Sequence, residues 1–121
     1  MEVMIADAAQ RVMNQLGPLH RECVYTRALA AELRARGLHA SVEHPVPVVY
    51  EASNGFKDTV ATERADIYIN ETSVIEAKVG DTITEAAILQ AERYARALDA
   101  ANAFVVVFSR QNSVCTTKIL I

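Results

Sequence analysis

Apolar residues recur three and four positions apart over residues 3–16. Met4, Ile5, Ala8, Ala9, Val12, Met13 and Leu16 form one face of an amphipathic helix that Gly17-Pro18 ends. Residues 19–36 are rich in Ala, Leu, Arg and Glu, and Gly37 suits the left-handed position past a helix end, which predicts a second helix. The pattern then changes. Residues 38–43 and 46–50 are two short β-rich runs, with Pro45 and Pro47 marking an edge strand, and Ser53-Asn54-Gly55 is turn chemistry. In residues 59–69, Ala65, Ile67 and Ile69 alternate with Arg64, Asp66 and Tyr68, a period of two that puts Asp66 on one face and the isoleucines on the other. Residues 72–79 follow after a tight connection through Asn70 and Glu71, so the two runs pair most simply as an antiparallel hairpin.

Thr82-Ile83-Thr84-Glu85 has the form of a capping box and predicts a third helix running to about Ala101. Residues 104–108 are apolar on both faces, as a central buried strand is, and residues 114–121 read as a closing edge strand. The predicted order is α-α-β-β-β-β-α-β-β, a mixed sheet flanked by helices.

At 121 residues the chain has room for one core, so residues 1–121 are expected to form a single domain. Its 51% hydrophobic and 22% charged content argues against disorder. Cys23 and Cys115 show no metal-ligand spacing and are expected to be free thiols used as small apolar fillers. A net charge of −3 excludes a globally basic, nonspecific nucleic-acid binder. The longest apolar stretch, residues 100–108, is interrupted by Asn102 and is far short of a bilayer span, and no secretory start is evident. A soluble protein of a reducing, intracellular compartment with no membrane partner is expected.

Candidate chemistry concentrates in Asp66 and Glu76-Ala77-Lys78. Strand residues two apart share a face at roughly 6.6 Å, so Glu76 and Lys78 point the same way, and the hairpin brings Asp66 beside them. Converging carboxylates repel unless a cation lies between them, and a hard divalent ion held by oxygens relieves this. A lysine beside such an ion suits phosphodiester hydrolysis better than acyl or glycosyl transfer. Such a pair on a strand is also what a solvated face with a cross-strand ion pair looks like. Gln90 and Tyr94 lie one helical turn apart on the third helix, and Glu22 and Tyr25 are neighbours on the second. Arg21, Arg27, Arg34 and Arg36 give the second helix a basic flank able to meet phosphates. Arg93 and Arg96, among Glu92 and Asp99, read as local ion pairs, and His20, His39 and His44 show no ligand spacing.

The series Leu16-Gly17-Pro18 with Glu22 and Tyr25, then Arg64-Ala65-Asp66, Val74-Ile75-Glu76-Ala77-Lys78, and Gln90 with Tyr94 resembles the GxxExxY family, assigned to the PD-(D/E)XK nuclease superfamily. The resemblance implies the restriction-endonuclease-like α/β fold, an αβββαβ core with a mixed sheet. By position it implies Asp66 and Glu76 as metal ligands, with the Ala77 carbonyl and Glu22 completing the set, and Lys78 as the catalytic lysine. Gln90 and Tyr94 resemble the Q-x-x-x-Y motif of RecB-like nucleases, which positions lysine, metal water or nucleic acid. Ala65 stands where the superfamily's name has proline, and Ala87 where a histidine is frequent. The segment 52–61 is longer than the usual hairpin turn.

The expected activity is Mg²⁺- or Mn²⁺-dependent hydrolysis of nucleic acid, with DNA as the first substrate and Arg21, Arg27 and Tyr25 as nucleic-acid contacts. The rival expectation is a nuclease-fold binding or assembly module without turnover. It draws on the acidic balance and on a small size that favours a homodimer or a larger complex.

Overall fold

The structure, a computed structural model, describes residues 1–121. Helices α1 (Glu2–Leu16) and α2 (Glu22–Ala35) precede strands β1 (Ala40–Glu51), β2 (Lys57–Ile69) and β3 (Ser73–Val79). Helix α3 (Glu85–Ala97) then crosses to β4 (Asn102–Phe108), and β5 (Val114–Ile119) ends the sheet. The strands lie in the order β1-β2-β3-β4-β5. All neighbours are antiparallel except β3 and β4, which run parallel because α3 returns the chain to the same end. This is the expected α/β mixed sheet between helical layers. No helix is long and apolar enough to cross a membrane.

Two cores back the sheet. On one face Ile5, Ala9, Met13, Leu29 and Leu33 of α1 and α2 pack on Ile67, Ile75, Phe104 and Phe108. On the other, Ala87, Ala91, Tyr94 and Ala95 of α3 pack on Val74, Val105 and Val107. β4 serves both, as its two-sided apolar pattern predicts.

Four boundaries differ from the sequence reading. α2 begins at Glu22 rather than Leu19, because Gly17 and Leu19 both take positive φ and turn the chain first. The two runs expected at 38–43 and 46–50 are one twelve-residue strand that holds both prolines, so the sheet has five strands. Proline is tolerated there because β1 is an edge and its missing N–H faces outward. The long segment 52–61 is mostly strand: pairing restarts at Glu51↔Lys57 and leaves a short turn in which Gly55 is left-handed. α3 stops at Ala97 rather than Ala101. Asp99 turns left-handed, and the Ala100 N–H donates to the Ala95 carbonyl in a Schellman closure. Its cap is Thr84, whose hydroxyl accepts from the Ala87 N–H.

One irregularity positions the site. Ala40 and Val42 of β1, with Ile67 and Ile69 of β2, face α1 and α2, whereas Val46 and Ala65 pack on the α3 side. The reversal falls at Glu43, which has φ 52°; the flanking rungs are Val42↔Ile67 and His44↔Ala65. Both strands therefore twist sharply at Glu43 and Asp66.

Candidate active site

β2 and β3 share only three rungs, Ile69↔Ser73, Tyr68↔Val74 and Ile67↔Ile75. Beyond them the strands part, and the next residues on each strand are Asp66 and Glu76. Side chains take over where the backbone ladder ends. The Asp66 N–H donates to Glu76 Oε2 at 2.8 Å, and the Ala77 N–H donates to Asp66 Oδ2 at 2.8 Å. Each carboxylate thus satisfies an amide that the divergence would otherwise orphan. The amide and carbonyl of one strand residue point to the same side, so the Ala77 carbonyl also opens into this gap.

The electrostatics are those of two acids brought together in a poorly hydrated place. Glu76 is 1% exposed. Burial, and then the charge of Asp66, push its carboxyl up to about 8. Burial likewise raises Asp66, opposed by the Ala77 N–H and by Lys78. The pair therefore retains a proton at neutral pH, which marks a local shortage of positive charge.

Lys78, two residues past Glu76, reaches the first turn of α2, where its Nζ lies 3.8 Å from Glu22 Oε1. Glu22 Oε2 accepts from the Val79 N–H at 3.2 Å, so this helix residue grips the end of β3. Lys78 also lines a shallow groove on the other side with Thr84, Gln90 and Arg93 of the α3 segment. There Gln90 Nε2 donates to the Tyr94 hydroxyl at 3.1 Å. Glu22, Asp66, Glu76, Lys78 and Gln90 thus come to one end of the sheet, while Tyr94 is buried and acts on Gln90 from below.

A cleft of about 600 Å³ leads to Asp66 from the α2 side, lined by Glu22, Cys23, Thr26, Arg27, Arg34, Val42 and Glu43. Arg27 forms part of this wall, whereas Arg21, the exposed residue before α2, lies outside it. Tyr25 is the clear misfit among the expected nucleic-acid contacts. It is 1% exposed and stacked on Phe108 with centroids 4.6 Å apart. Its hydroxyl donates to the Gly17 carbonyl and accepts from the His20 N–H. Tyr25 therefore latches the α1–α2 connection and has no face left for a base.

Other readings shift as well. Arg36 pairs with Glu32 and Asp7, away from the cleft. Arg93 pairs with Glu63 of β2 rather than locally, while Arg96 does pair with Glu92 one turn back. Both cysteines are free but exposed, so neither is an apolar filler. Glu43 was missed. A lone acid in an edge strand carries no periodic signal, and only the twist opposite Asp66 brings it to the cleft.

The donor set suits a hard divalent cation. Asp66 and Glu76 each use one oxygen on an amide, which leaves the second oxygen of each, and the raised carboxyls call for positive charge. No three acidic, histidine or cysteine side chains gather into a closed cage. An ion here would complete its shell with backbone oxygen, water or ligand oxygens, as Mg²⁺ does by preference.

Comparison with known proteins bears on the same features. A family model described as PD-(D/E)XK nuclease superfamily matches residues 1–119. Among solved structures, the crystal structure of SSO0001 is similar in fold, with a TM-score of 0.58 at 16% identity. The match covers 96% of this chain but 66% of that one, so the chain spans just under two-thirds of its neighbour's length. No curated protein matches the sequence.

Proposed function

We propose that this chain, which belongs to the PD-(D/E)XK nuclease superfamily, is a Mg²⁺- or Mn²⁺-dependent nuclease that hydrolyses phosphodiester bonds in DNA. The observation that carries this reading is the parting of β2 and β3 beyond Ile67↔Ile75, where the Glu76 carboxylate accepts from the Asp66 N–H and the Asp66 carboxylate from the Ala77 N–H across the gap. A sheet that opens at one rung to present two acids, with a lysine two residues on, is poorly explained by packing, since burying both acids costs stability.

Asp66 and Glu76 would hold the ion through their free oxygens, with the Ala77 carbonyl as a further donor and Glu22, which engages Lys78 and the Val79 N–H, acting through a bound water. When bound, the ion supplies Lewis-acid polarisation of phosphoryl oxygen and a water of lowered pKa. Lys78 presents a compact charge to the phosphate, and its Nζ is kept in place by Glu22. Gln90, fixed by Tyr94, is a positioning residue on the far side of Lys78. Arg27 binds a flanking phosphate along the cleft wall, and exposed Arg21 reaches one farther out.

Placement in the GxxExxY type is supported by Glu22 and Tyr25, which hold the last two places of that pattern. The first falls on Leu19, whose φ of 76° is a conformation that glycine adopts without strain.

The test is cleavage of single-stranded, duplex and branched DNA with Mg²⁺ or Mn²⁺. The wild type should cut at least one of these, and Lys78→Ala should lower the rate by about a hundredfold or more at unchanged thermal stability. A wild type that cuts none of them, nor RNA, while binding nucleic acid or a partner protein would instead identify a silent module of the same fold.

A further inference from the structure

The cleft that leads to Asp66 has walls of opposite charge. Helix α2 supplies Arg27 and Arg34, whereas β1 supplies Val42 and Glu43 and no cation. Arg27 and Arg34 are seven residues apart on α2, two turns along one face, or about 10.5 Å at ~1.5 Å per residue. That is the length of about three stacked nucleotides of one strand at ~3.4 Å each. Arg34 is exposed yet fixed: its Nε donates to the Ala40 carbonyl at 2.8 Å, which leaves the rest of the guanidinium fork for a ligand. One wall thus offers a track for a single phosphate chain.

The other wall repels one. Glu22 is engaged by Lys78 and by the Val79 N–H, but no ion pair of the structure includes Glu43. Keeping an acid there is unfavourable in two ways. Its φ of 52° is a left-handed conformation that glutamate adopts under strain. Burial already raises the Asp66 carboxyl, and the charge of Glu43 adds to that. Packing explains neither, because the Glu43 side chain is exposed. A repulsive group on a binding wall does have a use, which is to reject a ligand that would otherwise fit. A duplex laid on Arg27 and Arg34 carries its second phosphate chain about 6–12 Å away across a groove, toward the wall that holds Glu43. A single strand has no second chain. Its bases are free to turn toward Val42 and Glu43, and a carboxylate, which only accepts hydrogen bonds, suits the amino groups of unpaired bases.

We propose that Glu43 determines strand specificity and makes single-stranded DNA the substrate class, with the backbone on Arg27 and Arg34 and the bases toward β1. This rests on the nuclease reading and narrows it.

Fluorescence anisotropy at low salt in EDTA tests it with a short mixed-sequence DNA strand, alone and annealed to its complement. The wild type should bind the single strand about tenfold or more tightly than the duplex, because like charges face each other only in the duplex complex. Glu43→Gln, which keeps the shape, should raise duplex affinity about tenfold and move single-strand affinity by less than about threefold. Glu43→Lys should carry the gain for duplex further, and circular dichroism verifies the fold of each variant. Glu2→Gln, which removes an equal charge outside the cleft, should move neither affinity. Equal or tighter binding of duplex by the wild type overturns the proposal. So does a Glu43→Gln variant that gains alike for both forms, or a wild type that binds no single strand. Cleavage in Mn²⁺ tells the two readings apart. Equal cutting of duplex and single strand removes the strand selection and keeps the nuclease, whereas single-strand preference in binding with no cutting of any nucleic acid removes the nuclease and keeps the selection.

Discussion

Replacing Glu76 by glutamine removes one ionisable proton from a buried site while keeping its shape and an oxygen that can accept the Asp66 N–H. In the metal-free wild type this carboxyl is pushed up to about 8 from an ordinary 4.5. Below pH 4.5 it is protonated in both folded and unfolded chains, and nothing is lost. Between 4.5 and about 8 the unfolded chain releases a proton that the folded chain keeps, so stability falls as pH rises. At ~1.36 kcal/mol per unit the loss approaches about 5 kcal/mol above pH 8. The raised carboxyl of Asp66 adds a loss of the same sign. Glu76→Gln lacks the Glu76 share of the slope. Near pH 5 the two proteins should melt within a few degrees of each other. At pH 9 in EDTA the variant should melt higher by about 10 °C, taking ~4 °C per kcal/mol for a domain of this size and half the upper figure. Millimolar Mn²⁺ should raise the wild-type melting temperature at pH 8 and leave the variant almost unchanged, because an ion that binds only the folded state stabilises it by mass action. Thermal melts by circular dichroism over pH 5–9 read all of this. A constant difference between the two proteins across that range would refute the reasoning, because Glu76 would then be ionising normally.

Other substitutions separate the site from its scaffold. Tyr25→Phe removes the bonds to Gly17 and His20 while keeping the stack on Phe108, and should cost about 1–2 kcal/mol in denaturant melts with metal-dependent cleavage retained. Leu19→Gly should raise stability by about 1 kcal/mol, since an exposed leucine at φ 76° is strained and glycine is not; an unchanged or lower midpoint would count against that strain. Arg27→Ala should weaken DNA binding evenly across sequences and lower the slope of log affinity against log salt by about 1, measured by fluorescence anisotropy at several salt concentrations.

Much of this architecture was legible in the chain because its signals are local. The period-two stretch over residues 65–69 announced a strand, but only Ile67 and Ile69 share the expected face: Ala65 packs on the α3 side and Asp66 lines the cleft on the α2 side. The connection at Asn70 and Glu71 is a turn with both residues left-handed, closed by the Thr72 N–H on the Ile69 carbonyl. What was not legible depends on tertiary geometry. Pro45 and Pro47 marked an edge strand, and β1 is one, but they also made it look like two runs, because its continuity from Ala40 to Glu51 depends on pairing with β2. Tyr25 looked like a surface aromatic on a helix; Phe108, eighty-three residues away, decides that it is core. Glu43 reaches the cleft through a reversal of strand faces that no pattern of apolar residues records. In the site itself, the order of acids and lysine could be read. That the β2–β3 ladder stops one rung short of the two acids could not, because register emerges only when strands pair.

The gap between Asp66 and Glu76 is proposed to hold a divalent cation. Crystals grown with Mn²⁺ and measured at its absorption edge test this most directly. An anomalous peak should lie within about 2.0–2.4 Å of a carboxylate oxygen from each residue and be absent in Glu76→Gln. A map with no peak there, from protein that nevertheless cleaves DNA in Mn²⁺, would contradict it.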